Sequence, residues 1–177
     1  IVVALLMLLR LGRAVWAVHR LVLSSRAVSP RLADAIAAAG LDVAFVSVND
    51  RLGAPLAAGW LRPRILLPAG LVNELSPDEL RSVLLHEDAH RRRRDPLRIL
   101  AARAVAATFW FYPPSWLLLR RLEATAEYAC DEAAAPRRSD GLVLAGAVAR
   151  TLRCALFVTD ASPRPTPSLA GGRASLA

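Results

Sequence analysis

His86-Glu87-Asp88-Ala89-His90 places two imidazoles four residues apart, with a glutamate directly after the first. On a helix that spacing is one turn, so both rings lie on one face and can share a single Zn²⁺. Glu87 is rotated sideways from that face, where its carboxylate reaches the water such a metal holds rather than the metal itself. The pattern is that of a hydrolytic zinc centre with Glu87 as general base. A catalytic zinc also needs a third protein ligand and an open position for water. Glu123, Glu127 and Asp131 recur at four-residue spacing on one face of a later predicted helix, with Cys130 and Glu132 to the side. Zinc binds all of these residue types, so spacing alone leaves the choice open. Each carboxylate also has a plainer reading, a solvated helix face paired with Arg120 or Arg121.

The elements that must hold these residues are legible in outline. Ser76-Pro77-Asp78-Glu79 is a helix start: Ser76 caps, Pro77 suits the first turn and Glu79 closes a capping box. That helix carries the two histidines and is predicted to run to about Arg94. Asp95-Pro96 ends it and can open the next, with Asp95 as cap. A helix over Leu97–Tyr112 closes on Phe109-Trp110-Phe111-Tyr112, Pro113-Pro114 breaks it, and another helix runs on to Ala135 before Pro136. Further helices are predicted over Pro30–Gly40 and Leu142–Val158. Asp42–Asn49 alternates with β-branched residues and reads as a strand. Arg64-Ile65-Leu66-Leu67-Pro68 reads as a second strand, which its flanking prolines confine to an edge, where it could bind substrate by adding an extended chain to the sheet. The fold class is mainly α with a small β element, an α+β arrangement around the H-E-x-x-H helix.

Composition bounds what such a site serves. A chain of 177 residues, 55% hydrophobic, holds one domain with a real core and is not wholly disordered. Two cysteines, Cys130 and Cys154, exclude a disulfide scaffold. A formal charge of +8 comes with a mean hydropathy of +0.36, and an apolar, arginine-rich chain reads as one lying in or against a membrane. Ile1–Leu9 is apolar without a break and too short to span, so it reads as the end of a transmembrane helix, with Arg10, Arg13, Arg20 and Arg26 as a cytoplasmic flank. Ile1 as first residue fits an excerpt of a longer protein. The expected organisation is residues 1–26 as helix end and flank, 27–160 as the metallopeptidase domain and 161–177 as a disordered Pro/Ser/Gly-rich tail. The run Arg91–Arg94 reads as a charged helix end or a patch against anionic lipid. No groove-reading motif accompanies it, and no nucleic-acid partner is expected. Trp110, Phe111, Tyr112 and Trp116 read either as an interfacial aromatic belt or as core packing.

Several motifs in order carry a resemblance. His86–His90 with Arg91-Arg92-Arg93-Arg94-Asp95 after it, Phe109–Pro113, Glu127-Tyr128-Ala129-Cys130-Asp131-Glu132, and Arg62–Pro68 ahead of the helix together resemble the BlaR/MecR type of membrane zinc peptidase, metallopeptidase family 56. Membrane peptidases of the HtpX kind share the two histidines and the later Glu-x-x-x-Asp. The resemblance implies one Zn²⁺ per chain, with Glu127 as third ligand beside His86 and His90. It implies that Asp131 orients a ligand histidine, and it places an aspartate where Asp95 stands. Cys130 matches a family position and reads as a small buried residue. Asp88 departs from the pattern, since an apolar residue is usual there. The implied protein is a membrane zinc endopeptidase of an antibiotic-sensor pathway with its site toward the cytoplasm, cutting a protein or peptide substrate such as a transcriptional repressor or itself. A catalytically silent membrane scaffold is the contrasting expectation.

Overall fold

The computed structural model describes residues 1–160, and the tail expected over 161–177 lies outside the described residues. Seven helices and three strands make up an α+β fold among the described residues. Its centre is α4 (Pro77–Arg93), which packs against other helices and the sheet. The helix starts as its sequence dictates. Ser76 Oγ accepts the Glu79 N–H at 3.3 Å, and Glu79 Oε2 accepts the Ser76 N–H at 2.9 Å. It stops at Arg94, whose left-handed backbone (φ 58°, ψ 36°) turns the chain directly into α5 (Asp95–Thr108). A side chain other than glycine pays for that conformation, typically about 1–2 kcal/mol. The sharp turn brings the start of α5 back onto the last turns of α4.

Three strands form one mixed sheet in the order β1–β3–β2. β1 (Val46–Asn49) lies parallel to β3 (Arg64–Pro68), and β2 (Leu56–Ala58) lies antiparallel to β3 on its other side. The segment Arg64, Ile65, Leu66 and Leu67 is therefore the central strand and not an edge, and Ile65, Leu66 and Leu67 are fully buried. Its prolines misled because Pro63 precedes the ladder and Pro68 ends it, so neither interrupts pairing along the strand. The strand read over Asp42–Asn49 is extended only from Val46. Asp42 Oδ1 accepts the Ala44 N–H at 2.9 Å and draws Val43–Phe45 into a 3₁₀ turn.

The core forms where the sheet, α2 (Pro30–Ala38), α3 (Ala69–Glu74) and α4 meet. Leu32, Ile36, Ile65, Leu67, Leu80 and Leu84 sit at its heart. Each such side chain contributes roughly 1.5–3 kcal/mol through burial. The last helix, α7 (Arg138–Asp160), closes over α4 and brings Ala147 into this core. Arg150 Nε donates to Glu79 Oε1 at 2.9 Å, and the backbone of Gly146 passes so close that a Cβ there would lie 3.2 Å from the same oxygen. α6 (Pro113–Ala134) packs along both α4 and α5.

α1 (Val2–Leu23) is one continuous helix, so Arg10, Arg13 and Arg20 lie within it rather than after it. Only Gly12 weakens the stretch, and the residues between the arginines are helix-compatible. It is long and apolar enough to cross a membrane by length and composition. Its half-buried face is Met7, Leu11, Val15, Val18 and Val22, at helical spacing, and α1 packs along α5 and touches β2. The arginines point away from that face.

Candidate metal centre

α4 presents His86 and His90 toward α6, one turn apart as the spacing requires. Glu127 of α6 completes a triangle. His86 Nε2 lies 3.7 Å from Glu127 Oε2 and His90 Nε2 lies 3.6 Å from Glu127 Oε1. One donor atom from each of the three residues lies within 4.8 Å of the others. Tetrahedral ligands at zinc distances of about 2.0–2.1 Å stand roughly 3.3–3.4 Å apart, so a small inward shift closes this set on one ion. The chemistry of the donors agrees. Burial, then the neighbouring His90, holds His86 below the usual histidine range, against the pull of Asp131 and Glu127. A neutral imidazole offers its Nε2 lone pair to a cation.

The other carboxylates of the region take distinct places. Asp95 is 2% exposed and does not cap α5; its Oδ2 lies 3.1 Å from His90 Nδ1. That contact fixes the Nδ1–H tautomer of His90 and turns Nε2 toward Glu127. Arg93 Nε donates to the same oxygen at 3.2 Å and Arg98 stands 3.7 Å from Oδ1, which balances the buried charge. The capping reading fails because the left-handed turn at Arg94 points Asp95 inward. Asp131 Oδ1 lies 3.0 Å from His86 Nδ1, yet off the line of a hydrogen bond, and that buried nitrogen has no hydrogen-bond partner. Asp131 thus stands beside the ring it was expected to orient. Glu123 turns away and accepts from Arg103 at 2.7 Å.

His90, Asp95 and Cys130 also gather within 4.8 Å. Burial first, and Asp95 second, pushes the Cys130 thiol up to about 12. The thiol keeps its proton and lies 3.7 Å from Asp95 Oδ2 as a weak donor. Cys130 is thus a small, fully buried residue, as its sequence reading suggests. Asp88 faces away from the triangle, with Arg91 bound at 2.7 Å and Arg92 also paired to it. Its extra negative charge is neutralised there, so three of the four arginines of the run serve acids of the α4–α5 turn.

Glu87, next to His86 in sequence, is buried beside the histidine pair and β2. Burial pushes its carboxyl up to about 7, while the His90 ring and the Ala57 backbone amide offset part of the rise. A group so poised gives a testable slope. The folded carboxyl keeps its proton up to about pH 7, whereas the unfolded one loses it near 4.5, so the metal-free fold binds the extra proton in that window. Its stability is expected to fall as pH rises from about 4.5 to 7, by on the order of 2–3 kcal/mol. Glu87→Gln should flatten that slope, and denaturant unfolding of metal-stripped protein at a series of pH values measures it.

These side chains line a cleft of about 400 Å³. Its walls are His86, Glu87, His90 and Glu127 on one side and Leu11, Val15 and Val18 of α1 on the other. β2, with Pro55 before it and Gly59 after it, forms the rim. The sequence reading missed β2, because three residues are too few to show alternation. The signal present was an apolar triplet bracketed by Pro55 and Gly59. In the sheet, β2 has β3 on one side and no strand on the other among the described residues.

A family model described as BlaR1 peptidase M56 matches residues 1–140. The chain is 35% identical over 87 residues to the regulatory protein BlaR1 of Bacillus licheniformis. That stretch is 49% of this chain and 14% of the Bacillus protein, so the chain spans about a seventh of the relative it matches.

Proposed function

The chain belongs to the BlaR1 peptidase M56 family, and from that premise we propose that it is a membrane-associated zinc metalloendopeptidase acting in regulatory proteolysis. The observation that carries this reading is the convergence of two imidazoles and Glu127 beside a buried Glu87. His86 Nε2, His90 Nε2 and the Glu127 carboxylate would hold the ion, in an H-E-x-x-H arrangement of the zincin kind. When bound, zinc supplies Lewis acidity at the scissile carbonyl and acidifies the attacking water.

The chain's own residues do the rest. The Glu87 carboxylate takes the proton of the attacking water and then delivers it to the leaving amine nitrogen. Asp95 holds the His90 Nδ1–H, and Asp131 serves His86 in the same way once aligned. The free side of β2, not β3, takes the extended substrate by main-chain pairing, which sets the scissile bond along the row of site residues.

The setting follows the same line. α1 anchors residues 27–160, the peptidase unit, to lipid, with the site toward the cytoplasm. The substrate is a protein or peptide, a transcriptional repressor or the chain itself being the candidates that kinship to a regulatory protein favours. Purified chain is expected to contain about one zinc and to cleave itself or a candidate repressor. Chelation should abolish cleavage and added Zn²⁺ should restore it. Cleavage that survives complete metal removal would overturn the reading. A zinc-loaded chain that cleaves nothing would identify a silent scaffold.

A further inference from the structure

We infer that the corner joining α5 to α6 dips into the lipid bilayer at the headgroup–acyl boundary, as a second membrane contact apart from α1. The corner is Phe109, Trp110, Phe111 and Tyr112, and none of these aromatic side chains packs into the core. Phe111 is 67% exposed, and Leu118 on the first turns of α6 is 66% exposed. Core packing, the alternative reading of these rings, is thereby removed. Instead they stack on one another outside the fold, Phe111 lying 6.5 Å from Phe109 and 6.1 Å from Trp110 between ring centres.

An exposed apolar loop in water and one in lipid differ in how they treat their backbone. Here three of the corner's four carbonyls find donors within it or just after it. Phe109 O accepts from the Tyr112 N–H at 2.9 Å and from Ser115 Oγ at 3.2 Å. Trp110 O accepts from Trp116 Nε1 at 3.0 Å, and Tyr112 O accepts from Ser115 Oγ at 2.7 Å. Pro113 and Pro114 open α6 without any N–H to leave unpaired. The side-chain donors Ser115 and Trp116 thus satisfy main-chain oxygens of the corner. In a low-dielectric surface they remove a real cost.

The distribution of charge fits the same occupant. Residues 104–119 carry no charged side chain, and Arg103 bounds them on one side and Arg120 and Arg121 on the other. Arg103 lies six residues before Phe109, about 9 Å along α5, and Arg120 lies eight residues after Tyr112, about 12 Å along α6. These spans are close to the roughly 5–10 Å to which interfacial elements enter the headgroup–acyl boundary, with arginines left at the depth of anionic headgroups. α1, itself apolar enough to cross a bilayer, packs along α5 and brings lipid to the same helix pair.

Collision accessibility of a spin label tests the corner without depending on α1. The full chain, with Cys154→Ser and the buried Cys130 left in place, takes a label at Phe111→Cys or, as an independent second reporter, at Leu118→Cys. Asn73→Cys on α3 serves as the aqueous reference. The protein is incorporated into vesicles of equal parts phosphatidylcholine and phosphatidylglycerol. Labels at 111 and 118 are expected to lose most of their broadening by a water-soluble nickel chelate and to gain broadening by oxygen, while the label at 73 does the reverse. Nickel accessibility at 111 and 118 equal to that at 73 overturns the inference. So does exclusion of both reagents, which means that protein and not lipid covers the corner, and so does a chain that fails to float with the vesicles.

Discussion

Glu87→Gln is expected to keep zinc at the wild-type level and to slow peptide cleavage by about a hundredfold to ten-thousandfold. The amide has the size of the carboxylate and fits the same buried position, 8% exposed beside β2. What it lacks is a site for the water's proton, so the loss falls on turnover and not on metal. The histidines proposed to hold the ion keep their partners, since neither His86 nor His90 relies on Glu87 in its contacts. Zinc counted by elemental analysis and cleavage rate measured on the same samples decide the matter. A Glu87→Gln chain that cleaves at the wild-type rate rules out the proposed base.

Replacing both His86 and His90 by Ala should take zinc from about one per chain to none, and Glu127→Gln should weaken it so that excess zinc restores part of the activity. The distinction rests on where each acid points. Glu127 offers an oxygen to the Nε2 of each histidine, at 3.7 and 3.6 Å. Asp131 stands on the Nδ1 side of His86, and Glu123 is engaged by Arg103. A neutral amide at position 127 leaves the cation one negative charge short without disturbing the imidazoles. Titration of metal-stripped chains with zinc should place the three proteins in the order wild type, Glu127→Gln, double alanine. Undiminished affinity in Glu127→Gln would move the third ligand to another acid of α6.

The parts that sequence revealed are those that short-range chemistry decides. Two histidines one turn apart on a capped helix need no knowledge of the rest of the chain, and neither does the box that Ser76 and Glu79 close. Glu127 is different: it shares its spacing with Glu123 and Asp131, and only the packing of α6 against α4 brings its carboxylate to the Nε2 side of both histidines. Whether Arg64–Pro68 lay at an edge depended on what flanks it, a non-local matter that its prolines could not report. Asp95 had a sound local reading as a cap, which the backbone at Arg94 overrode by turning it toward His90. In α1 the arginines were read as a boundary, although they occupy the outer face of a helix that continues past them.

The hold of α7 on the first turn of α4 bears on where this protein can be cut. The family match stops at residue 140, a natural place to trim a fragment for expression. Such a fragment would lose Ala147 from the core and the guanidinium of Arg150 from Glu79, a carboxylate only 8% exposed. Leu80, Val83 and Leu84, packed in the same cluster as Ala147, would face solvent along the helix that carries both histidines. A stretch that keeps α4 covered is therefore longer than the stretch by which its kinship is recognised.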